Sequence, residues 1–133
     1  MKAKFFGSMV AGAVLCAVPM LAHHSFSAEY DAQKTVELTG TVNKVEWMNP
    51  HARFYVNVKD DKGAVTNWEF ELGSPNGLMR QGWSRNSLKE GDQVTVSGSR
   101  AKDGSNLVNA RTVTLASGKK VFAGSSQDDP ATK

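Results

Sequence analysis

Residues 52–72 carry the sequence ARFYVNVKDDKGAVTNWEFEL, and this stretch decides the fold class. Every second residue of 52–59 is apolar, and the same alternation returns in residues 67–72. This period of two is typical of strands that bury one face. The segment DDKG at residues 60–63 predicts a tight turn between the two strands. The stretch is therefore expected to form a β-hairpin, with Glu69 and Glu71 on its solvent-facing side.

A longer strand is predicted before this hairpin. Residues 36–47 also alternate, but their apolar positions change parity after Asn43-Lys44. A change of parity within one strand indicates a bulge or a sharp bend, and Gly40 helps a strand to bend. Asn49-Pro50 is expected to end this strand. The first three strands are therefore expected to run as a meander.

A short helix is predicted after the third strand. Ser74 can cap its first turn, Pro75 suits the first helical position, and Gly82 can end it. Leu78 and Met79 are expected to face the core. The helix is the feature that favours an OB-like barrel over a small β-sandwich.

Two further strands follow the helix, joined by a turn at residues 102–106, and the fifth strand changes parity midway. Five strands with a small helix between the third and the fourth predict an all-β fold, a five-stranded OB-like Greek-key barrel. A small β-sandwich is the alternative.

The first 22 residues predict an export signal. Residues 1–4 carry two lysines, residues 5–18 are apolar and uncharged, and Leu21-Ala22 offers a cleavage site. The apolar stretch is shorter than the roughly 20 residues of a spanning helix. Cleavage after Ala22 is expected, with a cut after Ala17 as the alternative. The predicted organisation is a signal peptide at 1–22, an extended N-terminal arm at 23–34, an OB-like β-barrel domain at 35–123 and a disordered tail at 124–133.

The composition of the mature chain excludes several classes of protein. Loss of Lys2 and Lys4 with the signal peptide lowers the formal net charge from +3 to +1. Such a chain lacks the basic surface of a nucleic-acid-binding protein. The single cysteine, Cys16, lies in the signal peptide, so no disulfide is expected in the mature protein. No spacing resembles a catalytic triad, and we expect no enzyme active site.

The histidines are the candidate metal ligands. The three of them, His23, His24 and His51, lie near the start of the mature chain. After cleavage, the α-amino group and the ring of His23 can chelate one ion, because a metal displaces the amine proton near neutral pH. His51 or His24 would add a third nitrogen. Amine and imidazole nitrogens favour Cu(II). The alternative is a solvated terminus with His51 capping a turn.

Other side chains are weaker candidates for the same site. Glu29, Asp31 and Glu46 are candidate hydrogen-bond acceptors behind a metal-bound histidine. Met48 and Met79 could add a thioether for Cu(I), although methionine more often fills a core. The three tryptophans, Trp47, Trp68 and Trp83, are expected in the core rather than on a ligand-stacking surface.

Several segments together resemble a family of small secreted bacterial proteins that is catalogued as a domain of unknown function. They are His23-His24-Ser25-Phe26, Gly40-Thr41-Val42, Trp47-Met48-Asn49-Pro50-His51, Glu71-Leu72-Gly73-Ser74-Pro75-Asn76, Gly91-Asp92-Gln93-Val94-Thr95-Val96, Ala101-Lys102-Asp103-Gly104-Ser105 and Asn109-Ala110-Arg111. The resemblance runs from about His23 to Ser126 and implies a small exported β-barrel. It implies no activity, cofactor or catalytic residue.

The sequence therefore predicts an exported, periplasmic or secreted protein that binds a metal ion, with copper preferred, through His23, His24 and His51. The alternative is a non-catalytic binding module for a peptide, a glycan or a partner protein, using a barrel face or residues 73–85. A copper-dependent oxidation would need an open coordination position. Neither nucleic acid nor a stable membrane anchor is expected as a partner.

Overall fold

The computed structural model describes residues 26–124. Six strands and two short helices make up this part of the chain. In chain order they are α1 (residues 26–29), β1 (Tyr30–Glu46), β2 (Arg53–Lys59), β3 (Val65–Glu71), α2 (Pro75–Arg80), β4 (Gln93–Ala101), β5 (Leu107–Thr114) and β6 (Lys120–Phe122). No helix within these residues is both long and apolar enough to cross a membrane.

The strands form one sheet in the order β3-β2-β1-β4-β5-β6, and all of these neighbours run antiparallel. β3 also pairs in parallel with β5 through residues 69–71 and 107–109. This extra pairing closes β1 to β5 into a ring. The prediction of an all-β fold with a small inserted helix is confirmed, and the helix lies between the third and fourth strands.

β1 is the long bent strand of the sequence prediction. It pairs with β4 up to Thr41 and with β2 from Thr41 onward. The register with β2 shifts between Val42 and Lys44, so the predicted bulge is confirmed. At Gly40 a Cβ would lie 2.2 Å from the carbonyl oxygen of Asn57. Only glycine permits this close approach of β1 to β2.

The hydrophobic core takes residues from all five strands of the ring and from α2. Phe54 and Phe70 lie fully buried at its centre, with ring centroids 5.1 Å apart. Trp83 is buried and its indole N–H donates to the carbonyl oxygen of Phe122 over 2.7 Å. Trp47 and Trp68 are half-buried and pack against the core. All three tryptophans thus contact the core.

Helix α2 begins and ends close to the predicted residues. The Ser74 hydroxyl accepts the Gly77 backbone N–H, and Gly82 has a φ of +94° just beyond the helix. Leu78 is fully buried. The expectation for Met79 is wrong, because its side chain is 51% exposed. The short helix buries only one face, which is formed by Pro75, Gly77 and Leu78.

The two ends of the described chain differ from the prediction. Residues 26–29 are helical and β1 begins at Tyr30, which pairs with Ala101, so this part of the predicted arm is not an isolated extended segment. At the other end, β6 was not predicted. A turn at Gly118, with a φ of +83°, returns the chain along β5. The predicted signal peptide and residues 125–133 lie outside the described residues.

Candidate functional site

His51 lies at the entrance to β2, directly after Pro50, whose peptide bond with Asn49 is cis. The β2–β3 ladder continues beyond the strand ends, because the Ala52 N–H donates to Gly73 O and the Leu72 N–H donates to Ala52 O. This continued ladder holds the residue next to it, His51, against the end of β3.

The imidazole of His51 contacts a buried carboxylate. Its Nδ1 lies 2.8 Å from Oε1 of Glu71, and the His51 side chain is 45% exposed whereas that of Glu71 is 8% exposed. Arg53 is paired with Glu71 across the hairpin, which brings this carboxylate to the same end of the sheet as His51. The prediction that Glu71 lies on a solvent-facing edge is wrong.

Two further side chains satisfy the second oxygen of Glu71. The Tyr30 hydroxyl donates to Oε2 over 2.9 Å, and the Arg53 guanidinium lies 3.4 Å from the same atom. Arg53 also donates to Oε1 of Glu69 over 2.5 Å. A buried carboxylate requires such partners because the interior does not solvate charge. We call Tyr30, His51, Arg53 and Glu71 the His51 cluster.

The Tyr30 hydroxyl remains protonated over the ordinary pH range. Burial, together with the negative charge of Glu71, raises the pKa of Tyr30 well above its usual value. The phenol therefore acts as a permanent donor to Glu71. This contact joins residues 41 positions apart, and it attaches the start of β1 to the end of β3.

A second polar group lies on the same face of β1 and β2. Lys44 forms an ion pair with Glu46, and the Tyr55 hydroxyl donates to Glu46 over 3.3 Å. The hydrogen bond from Lys44 lowers the pKa of Glu46, and partial burial with the charges of Glu69 and Glu46 raises the pKa of Tyr55. Glu46 is thus committed to Lys44 and Tyr55, not to His51.

The contact with Glu71 occupies Nδ1 of His51 and leaves its other ring nitrogen, Nε2, available to a ligand. When Nδ1–H donates to Glu71, the neutral ring carries its lone pair on Nε2. A carboxylate behind a histidine orients the ring and raises its basicity, which is the usual environment of a metal-bound imidazole. Among residues 26–124, no side chain bonds to Nε2.

The structure places the predicted site residues only in part. His23 and His24 lie outside the described residues. Of the three predicted acceptors, Asp31 accepts the Gln33 backbone N–H, Glu46 pairs with Lys44, and Glu29 makes no side-chain contact with His51. The acceptor is Glu71 instead. Met48, like Met79, is about half exposed.

No group of three histidine, cysteine or acidic side chains suited to a metal occurs within residues 26–124. Among residues 26–124, His51 is the only histidine, and its ring is held by Glu71. Any complete site would need donors from elsewhere, and the predicted amine and histidines at residues 23 and 24 are such donors.

Comparison with known proteins supplies no activity. One protein-family model matches residues 12–109, more than half of the chain, and its description is that of a family of unknown function. No curated protein matches the chain.

Proposed function

Because the chain belongs to DUF6152, a family whose function is unknown, we propose its function from the site itself: an exported protein that binds a metal ion, with copper preferred. The principal ligands are the α-amino group and ring of His23 after cleavage following Ala22, together with Nε2 of His51. His24 is auxiliary. The protein acts in the periplasm or outside the cell.

The observation that carries this proposal is the 2.8 Å contact between His51 Nδ1 and Glu71 Oε1. A histidine that merely caps a turn has no need of a buried carboxylate behind its ring. As a whole residue Glu71 is 6% exposed, and its carboxylate is stable in this buried position only because the surrounding donors bind it. A half-exposed ring with a fixed tautomer is suited to bind an ion from solvent.

The position of the N-terminal segment supports a shared site. The ring of Phe26 packs against Tyr30, with centroids 5.6 Å apart, and Tyr30 donates to the carboxylate that holds His51. His23 lies three positions before Phe26, and a chain of that length spans at most ~10 Å. In the proposal, the mature N-terminus would therefore lie within ~10 Å of Phe26, the residue that packs on the tyrosine bonded to Glu71.

Nitrogen donors decide the preferred metal. The proposed set contains an amine and two or three imidazoles, with no thiolate in the mature chain. Cu(II) favours such nitrogen ligands in tetragonal arrangements and has the highest affinity among the common divalent ions. The ring of five strands, with α2 between β3 and β4, supports an OB-like Greek-key barrel as the scaffold.

The experiment is a Cu(II) titration of protein purified through its own export route. The intact mass identifies the first residue, and the spin-resonance spectrum identifies the donor atoms. We expect a chain that starts at His23 and one tight site with nitrogen ligands. The His51→Ala variant should lose at least about tenfold in affinity, because one of three donors is removed.

The matched control is His24→Ala, which removes an imidazole from the same region but only an auxiliary ligand. It should weaken Cu(II) binding less than His51→Ala does. Equal affinity of wild type and His51→Ala would remove His51 from the site. A chain that starts elsewhere and binds Cu(II) weakly would contradict the proposal as a whole.

The alternative is a binding module without a metal, for a peptide, a glycan or a partner protein. A cavity of about 330 Å³ beside α1 favours this class. Thermal unfolding with and without Cu(II) separates the two functions, because a ligand that binds only the folded state raises the unfolding temperature. An unchanged unfolding temperature would favour the binding module.

A further inference from the structure

A cavity of about 330 Å³, open to solvent, lies between the N-terminal segment and the part of the sheet formed by β4, β5 and β6. Phe26 lines it from α1, Phe122 from β6 and Arg111 from β5, and the His51 cluster takes no part in it. We infer that this cavity binds a small aromatic carboxylate. This inference is independent of the proposed metal site.

Arg111 reaches the cavity because β5 contains a bulge. Ala110 pairs with Gly98 and Thr112 pairs with Ser97, so Arg111 has no partner on β4. An extra residue in one strand redirects the side chains around it. A Cβ on Gly98 would lie 2.0 Å from a backbone oxygen of β5, so only glycine allows this arrangement of the two strands.

The charge of the cavity selects an anion. Among residues 26–124, Arg111 is the only charged residue that lines the cavity, and none of the lining residues in this range is acidic. Within residues 26–124, its guanidinium forms neither an ion pair nor a side-chain hydrogen bond. A guanidinium binds a carboxylate through two parallel hydrogen bonds. The cavity therefore offers an unused site for one carboxylate group.

The size and the aromatic walls select the rest of the ligand. A cavity of about 150 Å³ holds one benzene molecule, so 330 Å³ accommodates two fused rings. Phe26 and Phe122 supply aromatic surface, and Ala32 and Ala110 supply small apolar walls. Aromatic rings favour offset or edge-to-face contacts with such walls. A naphthalene-sized carboxylate fits these features.

The test uses 2-naphthoate as the probe and 2-naphthalenemethanol as its neutral counterpart, titrated into the exported protein by calorimetry. We expect saturable binding of 2-naphthoate. The Arg111→Ala variant should weaken it about tenfold or more, because a charge-assisted pair is lost. The same change should alter binding of the neutral alcohol less than about twofold, since the alcohol makes no such pair.

Two further variants keep the outcome clear. Arg85→Ala removes the same charge from an exposed position outside the cavity, and it should leave 2-naphthoate binding unchanged. Ala32→Trp fills the cavity from an exposed position of β1, and it should weaken both probes. Arg111→Ala and Arg85→Ala should retain Cu(II) binding, because neither alters the His51 cluster.

Three results would overturn the inference. The first is an absence of saturable 2-naphthoate binding up to millimolar concentration in the folded protein. The second is an equal effect of Arg111→Ala and Arg85→Ala, which would indicate general charge attraction only. The third is unchanged binding in Ala32→Trp, which would place the probe elsewhere on the surface.

Discussion

Replacement of Glu71 by glutamine tests the His51 cluster most directly. The side chain keeps its size and loses its charge. In the native structure Oε1 faces His51 at 2.8 Å, and Oε2 faces the Tyr30 hydroxyl at 2.9 Å and Arg53 at 3.4 Å. Glutamine has only one acceptor oxygen. It can therefore accept either from His51 or from Tyr30 and Arg53, but not from both sides.

The expected loss of stability follows from these contacts. A hydrogen bond to a charged group contributes about 1.5–3 kcal/mol, and one between neutral groups about 0.5–1.5 kcal/mol. In Glu71→Gln the bonds from His51 and Tyr30 both lose their charged acceptor, and one of the two donors faces an amide N–H. The free energy of unfolding should therefore fall by about 2–3 kcal/mol. For a domain of this size the unfolding temperature falls by about 10–20 °C.

Urea unfolding followed by tryptophan fluorescence measures this loss. The matched control is Glu37→Gln, which neutralises an exposed acid of β1 that has no ion-pair partner among the described residues. The control should change the free energy of unfolding by less than about 0.5 kcal/mol. The ¹⁵N shifts of the His51 ring give a second measurement, because Nδ1 loses its carboxylate acceptor in Glu71→Gln.

A Glu71→Gln variant as stable as Glu37→Gln would refute the reasoning. The buried carboxylate would then contribute no more than an exposed one. Unchanged ¹⁵N shifts of His51 would separately show that Glu71 does not select the tautomer. The support for the metal proposal would fall with that second result, even if stability were lost.

Three further predictions concern the scaffold. The two tyrosines, Tyr30 and Tyr55, should show less phenolate absorbance at about pH 10 in the folded protein than in urea, because burial first, then nearby carboxylates, raises both pKa values. The stability that they contribute is therefore complete below about pH 10 and is lost as the pH rises through the folded-state pKa values; equal absorbance in the two states would contradict this. Phe70→Ala should cost about 3–5 kcal/mol in urea unfolding, because its ring is fully buried against Phe54, and a loss below about 1 kcal/mol would contradict this packing. Gly98→Ala should lower the free energy of unfolding by about 1–3 kcal/mol or more, because the new Cβ would overlap the backbone oxygen of Asn109. Ser99→Ala, at the next residue, serves as the control. Equal stability of the two variants would contradict the close approach of β4 to β5.

Local alternation predicted most of the fold. The β2–β3 hairpin follows from its period of two and its turn at residues 60–63, and α2 follows from Ser74 and Pro75. Both signals act between residues close in sequence. β6 escaped prediction because three residues are too few to show a period. Met79 was misassigned because helical spacing alone cannot say how narrow the buried stripe is.

The candidate site was only half predicted, for a different reason. His51 is a recognisable ligand type in any sequence. The alternation of β3 assigns Glu71 to the polar face of the strand, which predicts a solvent-exposed side chain. The side chain does lie on that face, but the face is covered at this position. In the folded protein, Tyr30 from the start of β1 bonds to Glu71, and β5 pairs beside it. The pairing of β2 with β3 did contain a signal, because Arg53 lies opposite Glu71 and this brings His51 close to the same carboxylate. To use that signal, one would have to know the geometry of the turn between the two strands.

The long strand β1 also has a consequence for the order of folding. The hairpins β2–β3 and β4–β5 each join neighbouring segments, so they can form early from local contacts. β1 must then pair with β2 at one end and with β4 at the other. His51 and Glu71 meet within the first hairpin, whereas Tyr30 reaches Glu71 only when β1 has docked. The tyrosine hydrogen bond is therefore expected to form last and to report the completion of the native ring.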